Sequence, residues 1–154
     1  MNVGALDILL VEDNQDGLDL TLRAMRRENL ANRIIVVRDG EEALEFLFCR
    51  GAFALRSFDH PPKLVMLDLR LPKVDGIEVL RQIKSDARTK TIPVVVMTSS
   101  KEEGDLITGY NLGADSFIKK PVDFDQFRET VKSLGLYWLV INEPVPVMES
   151  RSEG

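Results

Sequence analysis

KLVMLDLRLPKVDGIEVL, residues 63–80, decides the fold. It opens on an apolar run, Lys63–Leu67, that is short and almost free of polar residues. Such a run suits a parallel strand covered on both faces. The run stops at Asp68. Seven residues on, Asp75 and Glu78 stand at capping-box spacing, which satisfies free N–H groups at a helix start. Ile77, Leu80 and Ile83 then recur at helical spacing and read as an inward face. Strand, acid-bearing loop and helix make one βα unit.

The same unit recurs along the chain. Further strands are expected at Ala5–Val11, Arg33–Val37, Ile92–Thr98 and Asp115–Lys119. Pro93 falls near the start of its strand, where a missing N–H does least harm. Asp39 with Glu42, Ser100 with Glu103, and Asp123 with Gln126 repeat the capping spacing. Leu18, Leu22 and Met25, then Ala43, Leu44 and Leu47, then Phe124, Phe127, Val131 and Leu134 form the other inward stripes. Five βα units predict an α/β fold, a doubly wound parallel sheet with helices on both faces. Right-handed crossovers and the flavodoxin-like order 2-1-3-4-5 place strands 1 and 3 side by side. Ligands bind such sheets beyond the carboxyl ends of the strands at that switch point.

Three carboxylates fall there: Glu12 and Asp13 after strand 1, and Asp68 after strand 3. Crowded negative charges are tolerated when a divalent cation neutralises them or when one carboxylate is a reagent. Asp68 is suited to be a nucleophile, since a carboxylate attacking phosphorus gives an acyl phosphate. Mg²⁺ fits the site best, because it takes oxygen ligands and keeps waters beside one or two carboxylates and a phosphate. Asp13 and Asp68 are the expected direct ligands, Glu12 acts through water, and the backbone carbonyl of Arg70 is a further ligand. Strand 4 ends in Thr98, whose hydroxyl can donate to a phosphoryl oxygen. Strand 5 ends in Lys119-Lys120-Pro121, where a lysine supplies a compact positive charge. Spacing alone does not separate Lys119 from Lys120. Each residue has an ordinary reading by itself, as a solvated loop acid, a helix cap or a charged edge. The joint pattern across four strand ends carries the argument.

These pieces resemble the receiver domains of two-component response regulators over about residues 5–135. The matching stretches are ILLVEDN at 8–14, LVMLDLRLPKVDGIEVL at 64–80, VVVMTSS at 94–100 and GADSFIKKP at 113–121. The resemblance implies a phosphoacceptor at Asp68 and Mg²⁺ held by Asp13 and Asp68 with Glu12 nearby. It further implies a switch hydroxyl at Thr98, a phosphate-binding lysine at Lys120 and a switch aromatic at Phe117. Many relatives carry tyrosine at that last position, so the hydroxyl contact is absent here. The residues 136–154 form a C-terminal extension with a polar end expected to be flexible. Within it LYWLVINEP resembles the extension of small response regulators partnered with phytochromes. That implies a sensor histidine kinase of the phytochrome type as phosphodonor, and a homodimer with Tyr137, Trp138, Leu139 and Ile141 as contact residues.

Composition narrows the alternatives. A formal net charge of −5 argues against a general affinity for nucleic acid. No apolar run approaches the roughly 20 residues that span a bilayer, and the N-terminus lacks a signal-peptide pattern, so a cytoplasmic protein is expected. One cysteine, Cys49, excludes an intrachain disulfide and reads as a buried, inert thiol in an apolar helical stretch. Nothing after Gly135 is long enough for a DNA-binding module, so the expected output is protein contact. The chain is not expected to be an enzyme beyond catalysing its own phosphorylation and dephosphorylation. A phosphohydrolase of the haloacid dehalogenase type would carry an aspartate two residues past the nucleophile, where this chain has Arg70. Residues 50–62 are long for a connection, and Phe53, Leu55 and Phe58 suggest that they pack locally.

Overall fold

The structure is a computed structural model and describes residues 8–26, 34–99 and 111–136. Five parallel strands lie in the order 2-1-3-4-5: β1 (Ile8–Val11), β2 (Ile34–Val37), β3 (Leu64–Asp68), β4 (Val94–Thr98) and β5 (Ser116–Lys119). The helices among the described residues are α1 (Gln15–Arg26), α2 (Gly40–Leu47), α3 (Gly76–Ser85) and α4 (Phe124–Ser133). The order is the one expected. β3, β4 and β5 start one or two residues later than the expected runs, and Pro93 stays just outside β4. Positions 5–7 and 33, the Ser100–Glu103 pair and the tail contacts from Tyr137 to Ile141 lie outside the described residues.

The three central strands are buried along their whole length. Alternate side chains therefore feed two cores. On one face Leu9, Val65, Leu67 and Val96 pack under α2 and α3. On the other Leu10, Met66 and Met97 meet Leu18 and Met25 of α1 and Phe127 and Val131 of α4. Phe127 is fully buried, and removing such a side chain from water contributes about 2–3 kcal/mol. In α3 the buried residues of the first turn are Gly76 and Val79, and Ile77 is half buried at the edge of the same core. The helix turns so that the Gly76 end can approach the sheet.

Three helix starts follow the capping reading. Asp39, Asp75 and Asp123 accept from the N–H of Glu42, Glu78 and Gln126. The return arm differs, because Glu42 accepts from Arg38 N–H at 2.9 Å rather than from the cap residue itself. Two helices end in the same way. Gly135 adopts φ 75° after α4, with Leu136 N–H donating to Val131 O at 2.9 Å and Gly135 N–H to Lys132 O at 3.0 Å. That pairing closes the last turn and brings Leu136 back onto the core. Cys49 takes the equivalent place after α2 with φ 55°, so it stands beyond the helix end rather than inside it.

Residues 50–62 do pack locally, through aromatic rings. Phe53 meets Phe46 edge-on at 5.0 Å, and Phe58 meets Phe48 at 6.3 Å. The Arg56 guanidinium lies 3.7 Å from the Phe46 ring centre and donates to Phe46 O and, at 3.0 Å, to His60 O. Leu55 contradicts the expectation, being 103 % exposed. It follows the short 3₁₀ turn Gly51–Phe53, which turns its side chain away from the rings. No helix among the described residues is long and apolar enough to cross a membrane.

Candidate functional site

The site forms where β1, β3 and β5 end. Glu12 directly follows β1, and its N–H donates to Val37 O at 3.1 Å, continuing the β1–β2 ladder by one residue. Asn14 caps α1 by accepting from Gly17 N–H at 2.8 Å. Asp68 is the last residue of β3, and its Oδ1 accepts from Arg70 N–H at 3.0 Å. A side chain at Gly76 would place its Cβ 2.3 Å from Asp68 O, so glycine alone lets α3 start this close to the strand end.

Lys120 enters from the far side of the sheet. Its N–H donates to Thr98 O at 2.8 Å, and the peptide bond to Pro121 is cis. Its Nζ sits 2.7 Å from Asp68 Oδ2 and 3.2 Å from Glu12 Oε1. Lys119 is exposed on the sheet opposite Thr98. The geometry thus separates the two lysines, and Lys120 is the one that reaches the carboxylates.

Burial and proximity set the protonation states. Glu12 is 1 % exposed and Asp68 5 %. Burial, then the hydrogen bond to Asp68 and its repulsion, raises the Glu12 carboxyl from 4.5 to about 7, against the pull of Lys120. Burial also pushes Asp68 up, but hydrogen bonds from Glu12, Lys120 and Arg70 N–H outweigh it and hold Asp68 below the ordinary aspartate value. Burial works against the charge on Lys120, and the two carboxylates more than offset it, so its pKa is raised. An ionised Asp68 beside a lysine is the state a nucleophile requires.

The remaining expected residues fall around this centre. Asp13 is exposed, and no close cluster of three metal-ligating side chains is formed among the described residues. The three carboxylates therefore share one mouth without converging: Glu12 and Asp68 meet on Lys120 while Asp13 stands at the rim. Thr98 is buried at the end of β4. Phe117 is paired with Val96 and packs against the α2–α3 core, on the same sheet face as Thr98. Arg70 is exposed and directly follows Leu69, whose carbonyl accepts from Gly76 N–H. A cavity of about 230 Å³ opens beside the site between Leu20, Thr21, Glu12, Lys120 and Pro121. Arg38 and Gln15, not expected from the sequence, also border the centre: Arg38 donates to Asp13 O at 2.9 Å and to Gln15 Oε1 at 3.1 Å.

A divalent cation fits the residues present. The donor set is all oxygen, which suits a hard cation. Glu12 Oε1 is buried and accepts no hydrogen bond, meeting Lys120 Nζ at 3.2 Å as an ion pair only, so it keeps the capacity to accept from a water on a cation.

The comparisons agree with this fold. The response regulator receiver domain matches residues 8–132. The chain is 45 % identical over 132 residues to a probable methanogenesis regulatory protein, FilR2, of Methanothrix harundinacea, covering 86 % of this chain and 83 % of that one. It is 36 % identical over 133 residues to the response regulator Rcp1 of Synechocystis, covering 86 % and 88 %. Among solved structures, the bacteriophytochrome response regulator RtBRR superposes with a TM-score of 0.83 at 47 % identity, over 92 % of this chain and 85 % of that one. The phosphorylated cyanobacterial phytochrome response regulator RcpA gives 0.70 at 39 % identity, over 88 % and 94 %. The Mn²⁺-bound form of Rcp1 gives 0.67 at 36 %, over 87 % and 94 %. The receiver-domain match spans most of the chain and the curated relatives are 36–45 % identical over more than four fifths of both chains, so the chain belongs to the response regulator receiver domain family.

Proposed function

We propose that this protein is a phosphorylation-operated switch in a two-component relay, with Asp68 as the phosphoacceptor. The observation that carries the reading is the Lys120 Nζ at 2.7 Å from Asp68 Oδ2, in a site that keeps Asp68 ionised. A carboxylate oxygen of Asp68 attacks the phosphorus of a phosphohistidine on a sensor histidine kinase. The P–N bond breaks, an acyl phosphate forms, and the histidine nitrogen keeps the electron pair. Asp13, Asp68 and the Arg70 carbonyl would hold Mg²⁺, with Glu12 through water. When bound, the ion neutralises the carboxylates and the transferring oxygens. Lys120 then exchanges the Asp68 carboxylate for a phosphoryl oxygen, and Thr98 donates its hydroxyl to another. The chain catalyses this transfer and its own hydrolytic reset and turns over no external substrate.

The new group adds nearly two negative charges at the strand ends. Thr98 moves toward it, and Phe117 on the same face of the sheet takes the vacated room. The signal leaves as altered protein contacts. The likeness to RtBRR, a bacteriophytochrome response regulator, and to RcpA, a cyanobacterial phytochrome response regulator, supports a phytochrome-type kinase as donor, and the relay is proposed to run in the cytoplasm. We further propose a homodimer built on Tyr137, Trp138, Leu139 and Ile141. Sedimentation of a chain ending at Gly135 tests that part, since undiminished dimerisation would exclude the tail.

Acetyl phosphate with Mg²⁺ tests the chemistry. Intact-protein mass is expected to show one phosphoryl adduct on the wild type, lost without Mg²⁺ and absent from Asp68→Asn. A folded wild type that takes up no phosphoryl group would overturn the proposal.

A further inference from the structure

Arg38 is the first residue after β2, and the strand order sets β2 beside β1. Its guanidinium therefore reaches the loop that carries the acidic pair, 25 positions earlier in the chain. Nη2 donates to the carbonyl of Asp13 at 2.9 Å, and Nη1 donates to Gln15 Oε1 at 3.1 Å. Gln15 passes the restraint on, donating from Nε2 to Asp19 Oδ1 at 2.8 Å. The base of Arg38 is fixed as well, because Arg38 N–H donates to Glu42 Oε1 at 2.9 Å.

The two members of the acidic pair are thus held differently. Glu12 is fixed by burial, by the backbone bond to Val37 and by Lys120. Asp13 is exposed, and its carbonyl is held from β2 by the fork of Arg38. We infer that Arg38 is a positioning residue for the cation site: its fork fixes the β1–α1 turn so that the Asp13 carboxylate is presented to the ion. The inference rests on the cation reading above.

Two effects of Arg38 on a bound cation have opposite signs. Its charge repels the ion, so removing it would tighten binding. Its fork holds a ligand-bearing turn, so removing it would loosen binding. The guanidinium is exposed, and water and salt screen its charge. Ligand geometry, by contrast, must be kept within about half an ångström. Positioning therefore wins. Lysine separates the two effects, since it keeps the charge and lacks the planar fork.

The test is calorimetric titration of the full chain with Mn²⁺, on wild type, Arg38→Lys, Arg38→Gln and Gln15→Leu. Both Arg38 variants are expected to raise the Mn²⁺ Kd about tenfold, the low end of what loss of an outer partner costs a metal site. Gln15→Leu removes one arm of the fork and gives a smaller rise. The Mg²⁺ concentration for half-maximal labelling by acetyl phosphate should rise in parallel, with the rate at saturating Mg²⁺ unchanged. General loss of structure would lower that saturated rate. An Arg38→Lys Kd equal to wild type, or an Arg38→Gln Kd below it, would overturn the inference and leave the cation reading intact. Failure of the wild type itself to take up Mn²⁺ would overturn both.

Discussion

Lys120 Nζ stands 2.7 Å from Asp68 Oδ2 and 3.2 Å from Glu12 Oε1, so a single cation serves two buried carboxylates. Both carboxylates are more buried than the lysine that pairs with them. Removing the lysine leaves the buried Asp68 charge without its partner, while Glu12, already raised to about 7, is driven further toward its protonated form. Lys120→Ala is expected to destabilise the metal-free protein by about 3 kcal/mol at neutral pH, the usual range for breaking a buried pair. Urea unfolding in EDTA measures this. Divalent cation should restore part of the loss in the variant, because it replaces the missing charge.

Glu12 gives the metal-free protein a pH dependence of unusual sign. Its folded pKa is raised to about 7 from 4.5, so the folded state holds a proton that the unfolded state releases. The contribution to stability is fully present below pH 4.5 and is lost as pH rises through 7. The span corresponds to roughly 3 kcal/mol. Asp68, whose pKa is lowered, acts in a separate window below the ordinary aspartate value, where stability falls as pH falls. Unfolding midpoints in EDTA should therefore decline between pH 5 and about 7.5. Glu12→Gln should flatten that slope, and a slope unchanged in this variant would assign it elsewhere.

Two glycines bring the β3–α3 loop against its neighbours. A Cβ at Gly40 would lie 1.7 Å from Val74 O, and one at Gly76 2.3 Å from Asp68 O. Both obstacles are backbone atoms, which do not swing aside as a side chain would. Gly40 N–H also donates to Pro72 O at 3.2 Å. Gly40→Ala and Gly76→Ala should each destabilise by about 2 kcal/mol or more, as overpacking does. A variant with the stability of wild type would show that the loop can move out of the way.

The fold was legible because its signals are local. Each strand is an apolar run ended by a polar or charged residue, and Asp39, Asp75 and Asp123 cap the helices that the spacing predicts. Residues at strand ends were legible for the same reason, since strand order alone brings Glu12, Asp68 and Lys120 to one place. Arg38 escaped notice although strand order also places it, because a basic residue before a helix cap has no motif of its own. Leu55 misled for the opposite reason. Its apolar side chain suggested burial, whereas the 3₁₀ turn directs it to solvent. Lys119 and Lys120 could not be told apart by spacing, as the choice depends on which side chain passes over the strand end.

The aromatic insert yields a contrast within one segment. Phe53 packs against Phe46, and Leu55, two residues on, touches nothing that hides it. Phe53→Ala is expected to cost about 2–3 kcal/mol, below a fully buried phenylalanine because Phe53 is half buried. Leu55→Ser should stay within about 0.5 kcal/mol of wild type. Thermal unfolding of the two variants side by side decides it, and a large loss in Leu55→Ser would mean that the residue is covered in solution.

Lys84 joins three elements at the end of the sheet away from Asp68. Its Nζ donates to Lys90 O at 3.1 Å, to Ile92 O at 2.8 Å and to Asp115 Oδ2 at 2.8 Å. Asp115 Oδ2 also accepts from Val94 N–H at 2.8 Å, while Asp115 N–H donates to Val94 O at 2.9 Å. One lysine thus ties the end of α3 to the starts of β4 and β5. Lys84 is largely buried and Asp115 about one third exposed, so the pair is screened less than a surface ion pair. Replacing Lys84 by methionine keeps the stem and removes three donors. It should cost about 2 kcal/mol, the order of a lost hydrogen bond to a charged group. Asp115→Asn, which can still accept from Val94, should cost less. The double variant should recover about 1 kcal/mol relative to the sum of the two changes. Full additivity in urea unfolding would mean that Lys84 acts through the carbonyls alone and that its ion pair with Asp115 adds nothing.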